Sequence, residues 1–321
     1  MKQYLDLLTQ ALSGEDSDTE RTGAGTIGVY QRQARFNLEE GFPILTTKRV
    51  YWKGVVEEAL WFLRGETNIR SLAQKNVDIW TSDALRYNLP KVIESGLMTQ
   101  DEINTAKTEA KAGNYERANA LIGKFKQKIV EDENFANLAG NLGPVYGAQW
   151  RGTNGAKSID QISDLEKELK KGGSSRRMIV TAWDSSQVKD MALPACHLMW
   201  QVHISPETKK LHLGWYQRSC DTILGVPFNI ASYGLIANLL AHTHGFEKGE
   251  LIGTFGDLHV YKPHIPAARE QLLREPKPLP TLNIKTKKDS ITQYTSDDIE
   301  LVGYKPHPKL ENPTPMFGGF F

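Results

Sequence analysis

One cysteine is the residue of this sequence best suited to covalent chemistry. Cys196 stands in the stretch ALPACHLMW, residues 192–200, directly before His197, and it is one of only two cysteines in 321 residues. A thiolate at the start of a strand can act as a nucleophile, and nearby cations lower its pKa. An inert buried cysteine is the alternative, because most free cysteines lie in protein cores. His197 is not automatically the base, since neighbours in a strand point to opposite faces.

Four arginines and a serine could bind an anion close to that thiol. Arg21 lies beside the glycines of GAGTIG, the adjacent Arg176 and Arg177 follow two serines, and Arg218 ends an apolar run directly before Ser219. Taken singly, an arginine is most often a solvated surface residue. Together, convergent guanidiniums and a hydroxyl group suit the dianion of a phosphate monoester.

Two further motifs carry less chemistry. GAGTIG, residues 23–28, has the spacing of a dinucleotide-binding loop, but a polar stretch precedes it and a strand-like run follows it. It therefore does not predict a nucleotide-binding fold. The HTH stretch at 242–244 has no third ligand nearby. We interpret it as a helix end, where a histidine complements the helix dipole, and we expect no metal site.

Both helices and strands are needed to position these groups. Apolar periodicity predicts helices in the stretches MKQYLDLLTQAL, WKGVVEEALWFLRG and NIASYGLIANLLAHTHG, the second with Gly65 just beyond its end and the third ending at Gly245. Apolar or alternating runs predict strands in TIGVYQ, ARFNL, RMIVTAW, HLMWQVHI and LHLGWYQR. This order has no regular strand–helix–strand rhythm and favours an α+β domain, residues 1–321, around one large mixed sheet.

A change of composition marks a separate helical region. From about 81 to 141 the chain is rich in Lys, Glu, Asn and Ala, and Ala118, Leu121, Ile122, Phe125 and Ile129 fall at helical spacing. We expect a small helical insertion packed on the main domain, and we see no chemistry in it.

Charge and hydropathy exclude several classes of protein. Lys plus Arg is 39 against 38 for Asp plus Glu, so no bulk basic field points to nucleic acid or an anionic membrane. No segment reaches the roughly 20 apolar residues of a membrane span, and the N-terminus lacks a signal-peptide core. Two cysteines cannot build a disulfide framework. A cytoplasmic location is expected.

Six motifs together resemble the thymidylate synthase family, in the order in which that family has them. They are ERTGAGT, LGPVYG, SSRRMIVTAW, MALPACH, YQRSCDTILGVPFNIASY and FGDLHVY. The resemblance spans nearly the whole chain except the helical insertion and the last few residues. It implies reductive methylation of dUMP, with 5,10-methylenetetrahydrofolate as the co-substrate that gives both carbon and hydride. It also implies a homodimer whose interface is the large sheet, with helices on the other face.

The resemblance assigns a role to each matching residue. The implied catalytic residues are Cys196, Glu58, Tyr146, His197 and Asp221. The implied substrate-binding residues are Arg21, Arg176, Arg177, Gln217, Arg218, Ser219, Asn229, His259 and Tyr261. The implied folate-binding residues are Trp80, Asp221, Leu224, Gly225 and Phe228. Arg176 and Arg177 match the pair that the partner subunit contributes to the phosphate site.

Two of these assignments have alternatives. A carboxamide at Asn229 can donate to the 4-oxygen of uracil and accept from its ring N–H, whereas cytosine reverses both groups. A buried capping asparagine is the alternative there. Glu58 shares its helix with Glu57, and one of the two could be a surface residue.

Departures from the family pattern leave a second activity open. Thr81, Ala195, Asp184 and Pro263 differ from the usual residues, and the tail after PHP is longer and has Glu311 or its neighbour where the family has a lysine. A lid that seals poorly would admit water and turn methylation into hydroxymethylation. A dUMP hydroxymethylase is therefore the alternative, and a nucleotide- or RNA-binding module is a third possibility that the near-neutral charge disfavours.

Overall fold

Eight strands and twelve helices make up the described part of the chain, residues 1–17 and 24–310 of a computed structural model. The strands are β1 Glu15–Ser17, β2 Thr26–Asn37, β3 Ile179–Thr181, β4 His197–Ile204, β5 Lys210–Asp221, β6 Glu247–Tyr261, β7 Thr281–Ile284 and β8 Ile299–Val302. The helices are α1 Lys2–Leu12, α2 Trp52–Leu63, α3 Arg70–Gln74, α4 Thr81–Tyr87, α5 Leu89–Glu94, α6 Gln100–Lys111, α7 Glu116–Glu131, α8 Glu133–Ala139, α9 Tyr146–Arg151, α10 Gln161–Lys170, α11 Gly225–His244 and α12 Ile265–Leu272.

One six-stranded sheet organises the fold, in the order β1-β2-β6-β5-β4-β3. β5 and β6 are parallel and the other neighbours are antiparallel, so the sheet is mixed. The predicted α+β class is confirmed. β7 and β8 form a separate antiparallel pair.

The long helix α11 crosses over between the parallel strands β5 and β6. It packs on both strands and is apolar on all sides, which explains why nearly all of it is buried. It ends, as predicted, at Gly245, whose φ of 74° suits a residue without a side chain. The helix was expected to begin near Asn229 but begins four residues earlier, at Gly225.

The sheet has one covered face and one open face. Along β5 the residues Leu211, Leu213, Trp215 and Gln217 are buried under the helices, whereas the alternate residues such as His212 are half exposed. This alternation is that of a strand with two different environments. The open face includes Tyr30, whose side chain is 70% exposed.

The prediction of two strands in the segment 26–38 was wrong. β2 runs unbroken through it. Gln31 takes a left-handed φ of 57° and does not pair with β6, but the register with β6 is the same before it, at Tyr30, and after it, at Arg32. β6, α10 and α12 were not predicted at all, and RMIVTAW forms only the three-residue strand β3.

The segment 81–141 holds the helices α4 to α8. α7 buries Ala118, Leu121, Phe125 and Ile129, four of the five positions that its periodicity indicated, whereas the fifth, Ile122, is only partly buried. That this segment is an insertion stays a prediction. Among the described residues, no helix has the length and apolar character needed to cross a membrane.

Candidate active site

A cavity of roughly 390 Å³ opens between the carboxyl end of β5, the start of α11 and helix α2. Most of the predicted site residues meet there, although they come from widely separated parts of the sequence. The cavity is lined by Glu58, Trp80, Tyr146, Cys196, His197, Gln217, Ser219, Asp221, Leu224, Gly225, Phe228, Asn229, His259 and Tyr261 from the predicted set.

Of the four predicted arginines, the three that the structure describes do not line the cavity. Arg218 lies just behind Cys196, with which it forms hydrogen bonds. Arg176 and Arg177 are exposed and do not line this cavity. The main-chain oxygen of Arg176 accepts a hydrogen bond from Gln201 Nε2, on the open face of the sheet. Arg21 lies outside the described residues.

The thiol of Cys196 faces a fixed guanidinium. Arg218 Nη2 lies 3.9 Å from Cys196 Sγ. The guanidinium is held by two main-chain oxygens of the preceding loop, Pro194 O at 2.8 Å and Ala195 O at 2.9 Å. Its carbon lies 5.8 Å from the ring centroid of Trp183. A cation held at this distance stabilises a thiolate over a thiol.

Glu58 is a buried carboxyl group on α2. Trp80 Nε1 donates a hydrogen bond of 2.8 Å to its Oε1. Burial raises the pKa of Glu58 to about 7, because the charged form loses its hydration, and the bond from Trp80 offsets only part of this. A carboxyl group with this pKa can take up and release a proton near neutral pH.

The neighbouring Glu57 is also buried, so the expectation that one of the two glutamates could lie on the surface was wrong. Its side chain is 3% exposed, and Lys75 Nζ donates to its Oε2 at 2.6 Å. Helix α2 is covered on all sides, which is why helical spacing alone did not separate an inner from an outer glutamate.

His197 is held neutral inside an aromatic cluster. Its ring stacks on Tyr146 at 4.1 Å between centroids, and its Nδ1 lies 2.7 Å from the hydroxyl of Tyr233. Burial lowers the pKa of His197 to about 3, so the ring is neutral at physiological pH. The hydroxyl of Tyr146 in turn accepts a 2.7 Å hydrogen bond from the main-chain N–H of Cys196.

Asn229 presents its carboxamide to the cavity from within α11. It is not at the N-cap, which is Leu224, so the capping alternative does not apply. Its Oδ1 accepts a 3.0 Å hydrogen bond from Gln217 Nε2, which also donates to Ser219 O at 3.0 Å. The amide is therefore held by protein contacts before any ligand binds.

At the C-terminal end of β6, His259 and Tyr261 line the cavity. Their ring centroids are 5.2 Å apart and the rings meet edge to face. Asp257 Oδ1 lies 2.9 Å from His259 Nδ1. Burial alone would lower the pKa of His259, but the hydrogen bond and charge of Asp257 outweigh it and raise that pKa. A donor held in this way suits a hydroxyl or another oxygen ligand.

The opposite wall is apolar. Trp80, Leu224 and Phe228 form it, with one carboxylate, Asp221, at its edge. Asp221 Oδ1 accepts hydrogen bonds from the main-chain N–H groups of Ile223 and Leu224, at 2.9 and 3.2 Å. A flat aromatic ligand with a polar rim fits such a wall.

Five residues with a place at this site were not predicted. Ile79, Asp83 and Leu193 line the cavity, while Tyr233 and Asp257 hold His197 and His259. Asp83 follows Trp80 by three residues at a helix start, and this spacing was a usable signal. The contact between Tyr233 and His197 links residues 36 positions apart and leaves no local pattern.

No group of three metal-ligating side chains occurs within residues 1–17 and 24–310. The HTH stretch ends α11, as predicted, and His244 Nε2 lies 3.2 Å from Glu166 Oε1.

Comparison with known proteins matches nearly the whole chain to one family. A model of the family described as thymidylate synthase matches residues 2–316. A protein of Listeria monocytogenes serotype 4b named thymidylate synthase is 45% identical over 316 residues, 98% of this chain and 99% of that protein. Its namesake from Listeria innocua has the same identity and coverage.

Proposed function

Because this chain belongs to the thymidylate synthase family, we propose that it converts dUMP to dTMP, with 5,10-methylenetetrahydrofolate supplying the transferred carbon and the hydride. The observation that supports this best is the placement of Cys196, with Arg218 Nη2 3.9 Å behind its sulfur, in one cavity with an oriented amide and a buried carboxyl group.

Cys196 is the proposed nucleophile. Carbon 5 of uracil is a poor nucleophile until a thiolate adds to carbon 6. The S–C6 bond forms, the electron pair of the ring double bond moves towards carbon 5 and the 4-oxygen, and carbon 5 can then attack an electrophilic carbon. Loss of the carbon 5 proton then expels the folate nitrogen and leaves an exocyclic methylene on the ring. Hydride from the resulting tetrahydrofolate adds to that methylene while the S–C6 bond breaks, which releases the thiolate, dTMP and dihydrofolate. Arg218, 3.9 Å from the sulfur, stabilises both thiolate states.

The phosphate group of dUMP is proposed to bind Arg218, Ser219 and Arg21, with Arg176 and Arg177 coming from a partner subunit. The exposure of Arg176 and Arg177 in one chain, beside the open sheet face, supports this assignment. That face is the proposed interface of a homodimer, so each site is completed across the two-fold axis.

Glu58 is the proposed proton carrier. With a pKa of about 7 it can donate to the 4-oxygen as negative charge develops there, and it can relay the proton lost from carbon 5 through water. Tyr146 and neutral His197 are proposed to hold that water, because both carry hydroxyl or ring N–H groups at the cavity wall.

Asn229 is proposed to select uracil, and His259 with Tyr261 to bind the 3′-hydroxyl of the sugar. The fixed amide of Asn229 and the Asp257–His259 pair support these roles, since both are organised without ligand.

The folate is proposed to lie on the apolar wall. Trp80, Leu224, Gly225 and Phe228 offer a flat surface that excludes water, and Asp221, whose Oδ1 is held by main-chain N–H groups, can accept from a polar ring edge through its Oδ2. Trp80 is fixed by its bond to Glu58, so ring binding and proton transfer share one contact.

A cytoplasmic location is proposed from the two free cysteines, Cys196 and Cys220, which persist most readily in a reducing compartment. The hydroxymethylase alternative is not retained, because the matched family and relatives are named for the synthase. The tail on which that alternative rested, residues 311–321, lies outside the described residues. No described feature favours nucleic-acid binding.

Product analysis tests the proposal. The purified chain with dUMP and methylenetetrahydrofolate should give dTMP and dihydrofolate in equal amounts, which the absorbance rise of dihydrofolate follows continuously. Formation of 5-hydroxymethyl-dUMP with tetrahydrofolate, or no product from dUMP, would contradict it.

A further inference from the structure

The orientation of one amide group decides which base this site accepts. Nitrogen and oxygen of a carboxamide have nearly the same size, so Asn229 fits the pocket either way round. In one orientation it matches uracil, and in the reverse one it matches cytosine. A neighbouring group must therefore hold the Asn229 amide in one of its two orientations.

Gln217 is the first fixing group. Its Nε2 donates to Asn229 Oδ1 at 3.0 Å, so that oxygen keeps one lone pair for a ring N–H and the Asn229 nitrogen stays a donor. Gln217 is itself a carboxamide and 2% exposed, so its own orientation has to be fixed within the protein.

Trp215 fixes one end of Gln217. Its indole Nε1, which can only donate, points to Gln217 Oε1 at 3.4 Å, and Ser219 O, which can only accept, lies 3.0 Å from Gln217 Nε2. If the Gln217 amide were reversed, its NH₂ group would face the N–H of Trp215 and its oxygen would face Ser219 O. Trp215 is 2% exposed, so water cannot replace the lost partner.

Trp215 is itself tightly held. Its ring stacks on Tyr233 at 5.2 Å and 17°, and meets Phe255 edge to face at 5.5 Å. On the neighbouring strand it pairs with Gly253, where an added Cβ would lie 2.5 Å from the indole. Only glycine leaves room for this ring.

We propose that Trp215 is a positioning residue for base selection, which acts through Gln217 to hold Asn229 in the orientation that accepts uracil and rejects cytosine. This rests on the proposed function, since it takes Asn229 as the residue that contacts the base. The same indole also stacks on Tyr233, whose hydroxyl group lies 2.7 Å from His197 Nδ1.

A pair of tryptophan variants tests the role. Trp215→Phe removes the N–H donor and part of the ring. Trp200→Phe removes the same atoms from the residue directly opposite on β4, whose buried Nε1 has no hydrogen-bond partner in the described chain. The readout is the ratio of dissociation constants for dCMP and dUMP, measured by calorimetry.

Trp215→Phe should lower that ratio by roughly two- to tenfold, the worth of one buried neutral hydrogen bond. Trp200→Phe should leave it unchanged while costing similar stability. An equal change in both variants, or an unchanged ratio in Trp215→Phe, would overturn the proposal.

Gln217→Met decides the matter if Trp215→Phe does not fold. It nearly keeps the side-chain volume but removes both the acceptor for Trp215 and the donor to Asn229, so the Asn229 amide loses its fixed orientation and the ratio should fall. An unchanged ratio overturns the proposal. Wild-type protein that does not prefer dUMP to dCMP would instead refute the proposed function, so the two failures are distinguishable.

Discussion

Replacing Glu58 by glutamine should stabilise the protein above neutral pH. The buried carboxyl group has its pKa raised from 4.5 to about 7, so the native chain binds its proton more tightly than the unfolded chain does. Stability therefore falls as the pH rises from about 4.5 to 7, and the full cost remains above that range. At about 1.4 kcal/mol for each pH unit, the cost is about 3 kcal/mol.

Glu58→Gln removes this cost and keeps an oxygen for the N–H of Trp80. For a chain of this length, about 3 kcal/mol raises the melting temperature by about 4 °C. The expected difference from wild type is therefore about 4 °C at pH 8 and close to zero at pH 4.5. Thermal unfolding followed by tryptophan fluorescence, at one fixed protein concentration, measures it.

Glu57→Gln is the matched control. It changes the adjacent residue of the same helix, but that carboxylate is paired with Lys75, so neutralising it should give no stabilisation at pH 8. If Glu58→Gln were no more stable than wild type at pH 8, or equally stabilised at pH 4.5 and pH 8, the assignment of a raised pKa to Glu58 would be wrong.

Three further outcomes are expected. Asn229→Asp should lower kcat/KM for dUMP by about 10- to 100-fold and favour dCMP, because one donor becomes an acceptor; unchanged selectivity in a competition assay would argue against its role. Inactive Cys196→Ser and Arg176→Ala chains, mixed and refolded together, should regain activity, since one site of the mixed dimer has both an intact thiol and an intact partner arginine; no recovery would count against shared sites. Arg218→Lys should lower the rate of thiol alkylation at Cys196 at least several-fold, as a lysine cannot keep both carbonyl contacts and still face the sulfur; an unaltered rate would exclude that contact.

Local pattern predicted several of the elements that carry the site, but not β6, which carries His259 and Tyr261. The periodicity of WKGVVEEALWFLRG predicted α2, and the apolar run ending at Gly245 predicted α11, because a glycine marks the C-terminal end of each helix. The runs TIGVYQ and ARFNL suggested two strands where there is one, since the left-handed Gln31 leaves the register with β6 unchanged on both sides.

The site was predictable as a set of residues but not as a network. Motifs in family order indicated Cys196, Glu58 and Asn229, yet no local spacing shows that Tyr233 reaches His197 or that Asp257 holds His259. These contacts depend on strand register and on helix packing, which the tertiary fold sets.

The covalent step is the central claim, and trapping it is the most direct test. With 5-fluoro-dUMP and methylenetetrahydrofolate, the fluorine on carbon 5 cannot leave as a proton does, so the S–C6 bond should persist. Trypsin cuts at Arg218 and places Cys196 and Cys220 in different peptides. Burial raises the pKa of Cys220, which makes it a poor nucleophile and an internal control. Mass spectrometry should find the adduct on the Cys196 peptide alone; no adduct, or an adduct on the Cys220 peptide, would contradict the mechanism.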